Sequence, residues 1–182
     1  MIFNLFGKKD AADDNHVFID RAYVNSTAKM NACAELAKTA PDTIFICWFD
    51  ETVEKFKVFF KEQGISEDRV IIARYMNTHL LQSKTPVFTE HYPLHTKELE
   101  LIKGWILEKI IVYSAMDEPL FKHFGSDKLI PLMKMMGMKE DEVIEHSMVT
   151  KSIIKGQEKI AEQVSFEHSA SSQGDWMKKN IK

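Results

Sequence analysis

The 182-residue sequence is poor in arginine, the residue whose planar guanidinium group binds phosphate in a bidentate manner. It contains three arginines, Arg21, Arg69 and Arg74, so no guanidinium cluster is available for a phosphate backbone. The formal net charge is −3, which together with this scarcity argues against a nucleic-acid partner. The seven glycines form no G-x-x-x-x-G-K-[ST] loop, so the sequence lacks the loop that cradles phosphates in many ATPases.

Cysteines and long apolar runs are also scarce, and both bear on the compartment. Cys33 and Cys47 lie in apolar stretches, which is typical of buried, reduced thiols in a cytosolic protein. No apolar run approaches the roughly 20 residues that span a bilayer, so we expect no stable membrane insertion. Basic residues follow the apolar start of the chain, whereas in a secretory signal they precede it. These features predict a cytoplasmic location.

Composition divides the chain into three parts. Residues 1–15 are an apolar tip and a polar tether; the tip either docks onto a partner or membrane surface or frays as termini do. Residues 16–164 have the length and apolar content of a single domain. Residues 165–182 are predicted to form a polar tail, in which Trp176 is either a docking handle or without a role.

Apolar patterns predict strands that alternate with helices. The predicted strands are 43–49, 69–75, 86–91 and 109–114. The predicted helices are 26–38, 50–63, 96–105, 126–136 and 147–164. Such alternation implies crossover connections and a mostly parallel sheet with helices on both faces. The predicted fold class is therefore α/β, with a helical C-terminal extension.

Acidic side chains follow several of the predicted strands. In a parallel sheet the ligand crevice lies at the carboxyl ends of the strands. Any ligand in this chain would therefore meet a rim formed by Asp50, Glu51, Glu90, His91 and Asp117. An acidic rim without arginine is a poor site for a triphosphate, and we predict no cofactor.

Three other constellations have simple structural explanations. His91 and His95 have the spacing of a helical zinc pair, but a proline lies between them and no third ligand is close. Cys33 occupies a helix-core position, which is unusual for a nucleophile. Asp117 and Glu118 lie at a strand-to-helix junction, where carboxylates more often cap a turn than act as acid and base. We therefore predict neither a metal site nor a catalytic residue.

Methionines are concentrated in one short segment. They are Met133, Met135, Met136 and Met138. Flexible thioether side chains either fill irregular core space or line adaptable peptide-binding surfaces. Met135 and Met138 fall off the main apolar stripe of their helix, so we expect part of the cluster to be exposed.

The stretch from Tyr113 to Gln157 carries the most specific pattern in the chain. Its features, in order, are Ser114-Ala115-Met116-Asp117-Glu118, Leu120, Phe124, Gly125-Ser126-Asp127-Lys128, Leu132-Met133, Met136-Gly137-Met138, Ile144, His146 and Met148-Val149-Thr150-Lys151-Ser152-Ile153. Together they resemble the segment of SecA, the bacterial preprotein-translocase ATPase, that leaves the second motor domain and enters the scaffold helix. Thr89-Glu90-His91 is similar to the family's Thr-Glu-Arg, with histidine in place of arginine.

The resemblance implies a fold like the second SecA motor domain and a link to preprotein translocation. In the family the phosphate loop lies on the first motor domain, and the second contributes arginines just before its last strand. Here the corresponding segment, 101–108, contains Lys103 but no arginine. We therefore expect a catalytically silent, stand-alone SecA-like domain with an interaction or accessory role, rather than an enzyme. The alternative is a nucleotide-responsive subunit that completes an ATP site on another chain.

The expected partner is a protein, either a translocase component or a second copy of the chain. The expected partner-binding residues are Val149, Ile153, Ile160 and Val164, which share one face of the last predicted helix. In a full-length translocase neighbouring domains cover this stripe. Here it must either pack on the chain's own sheet and helices or bind another chain.

Overall fold

The computed structural model describes residues 17–181, which form a parallel five-stranded sheet surrounded by helices. The strands are β1 (Val17–Tyr23), β2 (Thr43–Cys47), β3 (Val70–Ile72), β4 (Thr85–Phe88) and β5 (Lys109–Ala115). The helices are α1 (Ser26–Thr39), α2 (Asp50–Glu62), α3 (His95–Ile102), α4 (Pro119–His123), α5 (Ser126–Met135), α6 (Ser147–Ala161) and α7 (Gln173–Asn180). The α/β fold class predicted from the sequence is confirmed.

The strand order is β1-β5-β4-β2-β3, and all neighbouring strands are parallel. Along the chain, β2 leads to β3 on one side, and the next strand, β4, pairs with the opposite side of β2. The direction of winding therefore reverses between β2 and β4. In such sheets the carboxyl ends of the two strands at the reversal border a crevice.

Two apolar clusters cover the opposite faces of the sheet. Alternate residues of one strand point to opposite faces, and Phe45 and Ile46 of β2 accordingly belong to different clusters. The cluster around Phe45 includes side chains of α1 and α2, and the cluster around Ile46 includes Ile102 of α3 and Trp105. All of β2 is buried because both of its faces are covered.

A third apolar cluster joins the C-terminal helices to the carboxyl edge of the sheet. It contains Phe49 and Leu120 together with Ile153 and Ile160 of α6 and Trp176 of α7. The indole of Trp176 is fully buried. The expectation that 165–182 is a polar tail is therefore wrong for α7, which packs into the domain through this side chain.

All four predicted strands differ from the observed ones in at least one bound. β2 ends at residue 47 instead of 49, and β5 ends at residue 115 instead of 114. β1 was not predicted at all, although it forms an edge of the sheet. The predicted strand 69–75 is a strand only at 70–72, because residues 73–75 form a 3₁₀ turn. The strand predicted at 86–91 is observed at 85–88.

The predicted tip and tether, residues 1–15, lie outside the described residues. No helix within 17–181 has both the length and the apolar character needed to cross a membrane.

Candidate functional site

A polar cleft of about 300 Å³ lies at the carboxyl edge of the sheet, where the direction of winding reverses. We call it the strand-end cleft. Its acidic side chains are Glu51, Glu90, Asp117 and Glu118, and its basic side chains are Lys29 and Lys55. Residues that precede and begin α7, from Ser172 to Gly174, form part of its wall.

The carboxylate of Glu90, just after β4, is bound at the start of α2. One oxygen, Oε1, accepts hydrogen bonds from the backbone N–H groups of Trp48, at 3.0 Å, and of Phe49, at 3.3 Å. The other, Oε2, lies 2.9 Å from the hydroxyl of Thr52. Backbone N–H groups at a helix start attract anions, and here a side chain of the same chain supplies the acceptor. Burial raises the pKa of Glu90 to about 7.

Lys29 of α1 is buried beside Glu90 and forms an ion pair with Glu118. Its ammonium group also donates a hydrogen bond of 2.6 Å to the carbonyl oxygen of Thr89. Burial by itself would lower the pKa of Lys29, but the carboxylates of Glu118 and Glu90 outweigh it, and the net effect raises the pKa. The ammonium therefore stays charged and fixes α1 to the ends of β4 and β5.

His91 belongs to a separate buried network below the cleft. Its Nε2 contacts a carboxylate oxygen of Asp20 on β1, and its Nδ1 lies 2.9 Å from Oε1 of Glu98 on α3. Burial would lower the pKa of His91, yet the two carboxylates raise it well above the ordinary value. The imidazole is therefore a cation between two anions. This network joins β1, the segment after β4 and α3, and none of its three side chains is among those that line the strand-end cleft.

Glu98 collects further donors in the same network. Besides His91 it contacts Nδ1 of His95 at 2.9 Å and accepts a hydrogen bond from the Gln157 side chain of α6 at 3.1 Å. Burial acts to raise the pKa of Glu98, but the two histidines overcome it, and the pKa falls to about 2. His91 and His95 thus share a carboxylate. Among residues 17–181, no group of three or more His, Cys, Asp or Glu side chains is arranged to hold a metal ion.

The structure brings together three of the five predicted rim residues. Glu51, Glu90 and Asp117 line the strand-end cleft. Asp50 instead forms an exposed ion pair with Arg74, with Oδ1 and Nη2 2.5 Å apart. His91 is enclosed in the network described above. The sequence analysis missed Lys29 and Glu118 as cleft residues, because their burial depends on contacts between distant parts of the chain.

The three arginines are engaged outside the cleft. Arg21 donates to Glu145 and to the Tyr113 hydroxyl, and Arg74 pairs with Asp50. Arg69 donates to the carbonyl oxygens of 37, 40 and 43, at the end of α1 and the start of β2. Each guanidinium therefore has a structural role.

The four predicted partner-binding residues lie against the third apolar cluster. Ile153 and Ile160 are 2% and 0% exposed, so neither offers a surface in the folded chain. Val149 and Val164 are partly buried and pack against the same cluster. The stripe is thus used within the domain.

No model of a known protein family matches the chain. Segments of the chain do match the protein translocase subunit SecA of several bacteria. The identity is 49% over 53 residues for Chlorobium phaeobacteroides and 54% over 48 residues for Acidithiobacillus ferrooxidans. These segments cover 29% and 26% of the chain, but only 5% of the length of each SecA protein. The chain therefore contains a SecA-related segment, as the resemblance in the sequence indicated.

Proposed function

We propose that this chain is a non-catalytic, SecA-like interaction module that acts in preprotein translocation by binding a protein partner in the cytoplasm. The link to translocation is supported by the SecA-related segment. The observation that carries the non-catalytic role is the position of the Glu90 carboxylate, at the start of α2 in the strand-end cleft.

Glu90 occupies the start of α2, which would otherwise be the best position for a phosphate group in the cleft. A phosphate at the same N–H groups would have to displace Glu90, which is 4% exposed and held by three hydrogen bonds from Trp48, Phe49 and Thr52. The remaining carboxylates of the cleft would repel the triphosphate, and only two lysines oppose them. This charge balance disfavours the alternative, a subunit that completes an ATP site on another chain.

The arginine positions support the same proposal. One planar guanidinium group can bind two phosphoryl oxygens at once, and the ammonium group of lysine lacks this bidentate geometry. Arg21, Arg69 and Arg74 are each bound to groups of the fold itself. Recruitment of any of them to a nucleotide would break these contacts.

The first test is the response to ATP and magnesium. We expect the purified chain to show no ATP hydrolysis and no change in melting temperature. A ligand present at 100 times its Kd would add about 2.7 kcal/mol of stability, which for a domain of this size corresponds to roughly 5–10 °C. Hydrolysis that persists through repurification and disappears in a Lys55→Ala variant, which changes an exposed side chain of the cleft, would refute the non-catalytic role.

The second test concerns the link to translocation. The tagged full chain is expressed in its native cells, crosslinked and purified, and the captured proteins are identified by mass spectrometry. Translocase subunits should be enriched over a tagged, unrelated α/β protein of similar size. Recovery of the chain without any translocase component would contradict this part of the proposal.

A further inference from the structure

An apolar groove of about 770 Å³ is bordered by residues of α4, α5 and α6. We call it the helical groove. Its apolar lining includes Phe121 and Phe124 in and just after α4, Met133 of α5 and Val149 of α6. Gly156 lets α6 approach closely, because an added Cβ at this position would overlap the ring of Phe124. The groove is lined mainly by apolar side chains of three helices.

Large apolar side chains remain exposed in and beside the helical groove. Leu129 and Met148 line it and are 49% and 68% exposed. Leu132, Met135 and Met136 continue the exposed surface along α5 and beyond its end. Contiguous exposed apolar surface usually marks an interaction site, and methionine suits surfaces that adapt to a peptide. Part of the methionine cluster is thus exposed, as expected from the sequence.

The charged groups of the groove have one sign. Lys155 and Lys159 of α6 line it, and no Asp or Glu is among its described lining residues. The whole chain carries a net charge of −3, so this basic groove differs from the average surface. Apolar walls with lysines at the edge complement a segment that has apolar side chains on one face and carboxylates on another.

We propose that the helical groove binds an acidic amphipathic helix of a partner protein. The inference rests on the proposed interaction function and specifies its surface and the chemistry of its partner. The apolar face of the bound helix contacts the side chains of α4, α5 and α6. Its carboxylates pair with the ammonium groups of Lys155 and Lys159, which are both exposed.

Sequence pattern, charge and shape disfavour the other occupants. In the apolar start of this chain the carboxylates come only after Lys8 and Lys9, from Asp10 onward, so they do not alternate with the apolar side chains as those of an amphipathic helix do. In a second copy α5 carries Lys128 and Lys134 against a single carboxylate, Asp127, so its net charge has the same sign as that of the groove. A membrane surface is broad, whereas the groove is a concave site between helices.

Binding is tested with two labelled synthetic helices. Both have 15 residues with leucine at i, i+3, i+4 and i+7 spacing; the outward positions are glutamate in one peptide and lysine in the other. Fluorescence anisotropy with the full chain should give a Kd at least about tenfold lower for the glutamate peptide. Equal binding of the two peptides, or no binding of either, would overturn the proposal.

Reversing the charge of the two groove lysines tests whether the peptide binds in this groove. In the double variant Lys155→Glu and Lys159→Glu the preference should invert in favour of the lysine peptide. The matched control reverses Lys57 and Lys61 of α2, which have the same spacing and do not line the groove. It should leave both affinities unchanged. An equal effect of the two double variants would mean that net charge alone controls binding and would refute the assignment.

Two further measurements separate the competing occupants. If the chain's own start fills the groove, the double variant Phe3→Asp and Phe6→Asp will free the groove and tighten binding of the glutamate peptide. If a second copy fills it, the natural protein will sediment as a dimer, and the variant with Lys155→Glu and Lys159→Glu will not. Either result, or binding of anionic phosphatidylglycerol vesicles in place of the peptide, would overturn the proposal. Failure of the peptide tests leaves the crosslinking test of translocation intact, so the two ideas fail separately.

Discussion

Replacing Glu90 by glutamine should stabilise the protein at neutral and alkaline pH. The amide is close in shape to the protonated carboxyl group. Its oxygen can accept the hydrogen bonds from the N–H groups of Trp48 and Phe49, and its NH₂ group can donate to the hydroxyl of Thr52. The substitution therefore removes a buried titration while it preserves the local contacts.

The size of the effect follows from the pKa of Glu90. Burial raises this pKa from 4.5 to about 7, so the folded protein binds the proton more tightly than the unfolded chain. Stability from this group is complete below the unfolded pKa of 4.5 and is lost as the pH rises through 7. At about 1.4 kcal/mol per pKa unit, the loss is about 3 kcal/mol. Glutamine avoids it.

Urea denaturation at several pH values measures the difference. Glu90→Gln should match the natural protein near pH 4.5 and exceed it by about 3 kcal/mol at pH 8, or roughly 6–12 °C in Tm. The titration of His91 occurs in both proteins and cancels. Glu51→Gln, at an exposed position of the same cleft, is the control and should change stability by less than about 0.5 kcal/mol. A variant less stable than the natural protein at pH 8 would show that the ionised carboxylate is favourable there, against this reasoning.

Three other substitutions test the buried groups. Lys29→Ala leaves the Glu118 carboxylate buried without its cation and should cost about 3–5 kcal/mol in urea denaturation. A loss under 1 kcal/mol would mean that Glu118 accepts a proton at little cost. Trp176→Ala should cost about 3–5 kcal/mol by the same assay, against less than about 0.5 for Phe166→Ala, which changes a side chain that is 74% exposed. Ile160→Glu buries a carboxylate in the third apolar cluster and should abolish the cooperative thermal transition seen by circular dichroism; retained cooperativity would place this side chain at a surface.

Local patterns were sufficient to predict the centre of the sheet but not its edge. In β2 five consecutive residues are buried, and the unbroken apolar run in the sequence indicated this. In β1 the apolar pattern is interrupted by Asp20 and Arg21. Asp20 is buried because His91, 71 residues away, supplies a positive charge. No local rule contains that contact, so the strand was missed.

The candidate site shows the same limit. Strand ends meet at one edge of a parallel sheet, so Glu90 and Asp117 could be placed near each other from topology alone. Lys29 lies in a helix otherwise rich in alanine, where a lysine is normally solvated. Its burial depends on Thr89 and Glu118, which come from other strand ends. The burial of Trp176 could not be predicted either, because its neighbours in the sequence are mostly polar.

The contacts of Glu90 show how the fold itself satisfies the backbone N–H groups at the start of α2. The N–H groups at the start of α2 need an acceptor, since leaving a buried donor unsatisfied costs about 1–3 kcal/mol each. Glu90 provides the acceptor from β4, and Lys29 partly balances its charge. The N–H groups of Trp48 and Phe49 are thus satisfied by a side chain of the same chain, whereas Oε2 of Glu118 in the same cleft is buried and has no hydrogen-bond partner among the described residues. The helical groove, in contrast, keeps Leu129 and Met148 exposed, so apolar surface remains to be buried there. On physical grounds a partner gains more by binding along α6 than at the carboxyl edge of the sheet.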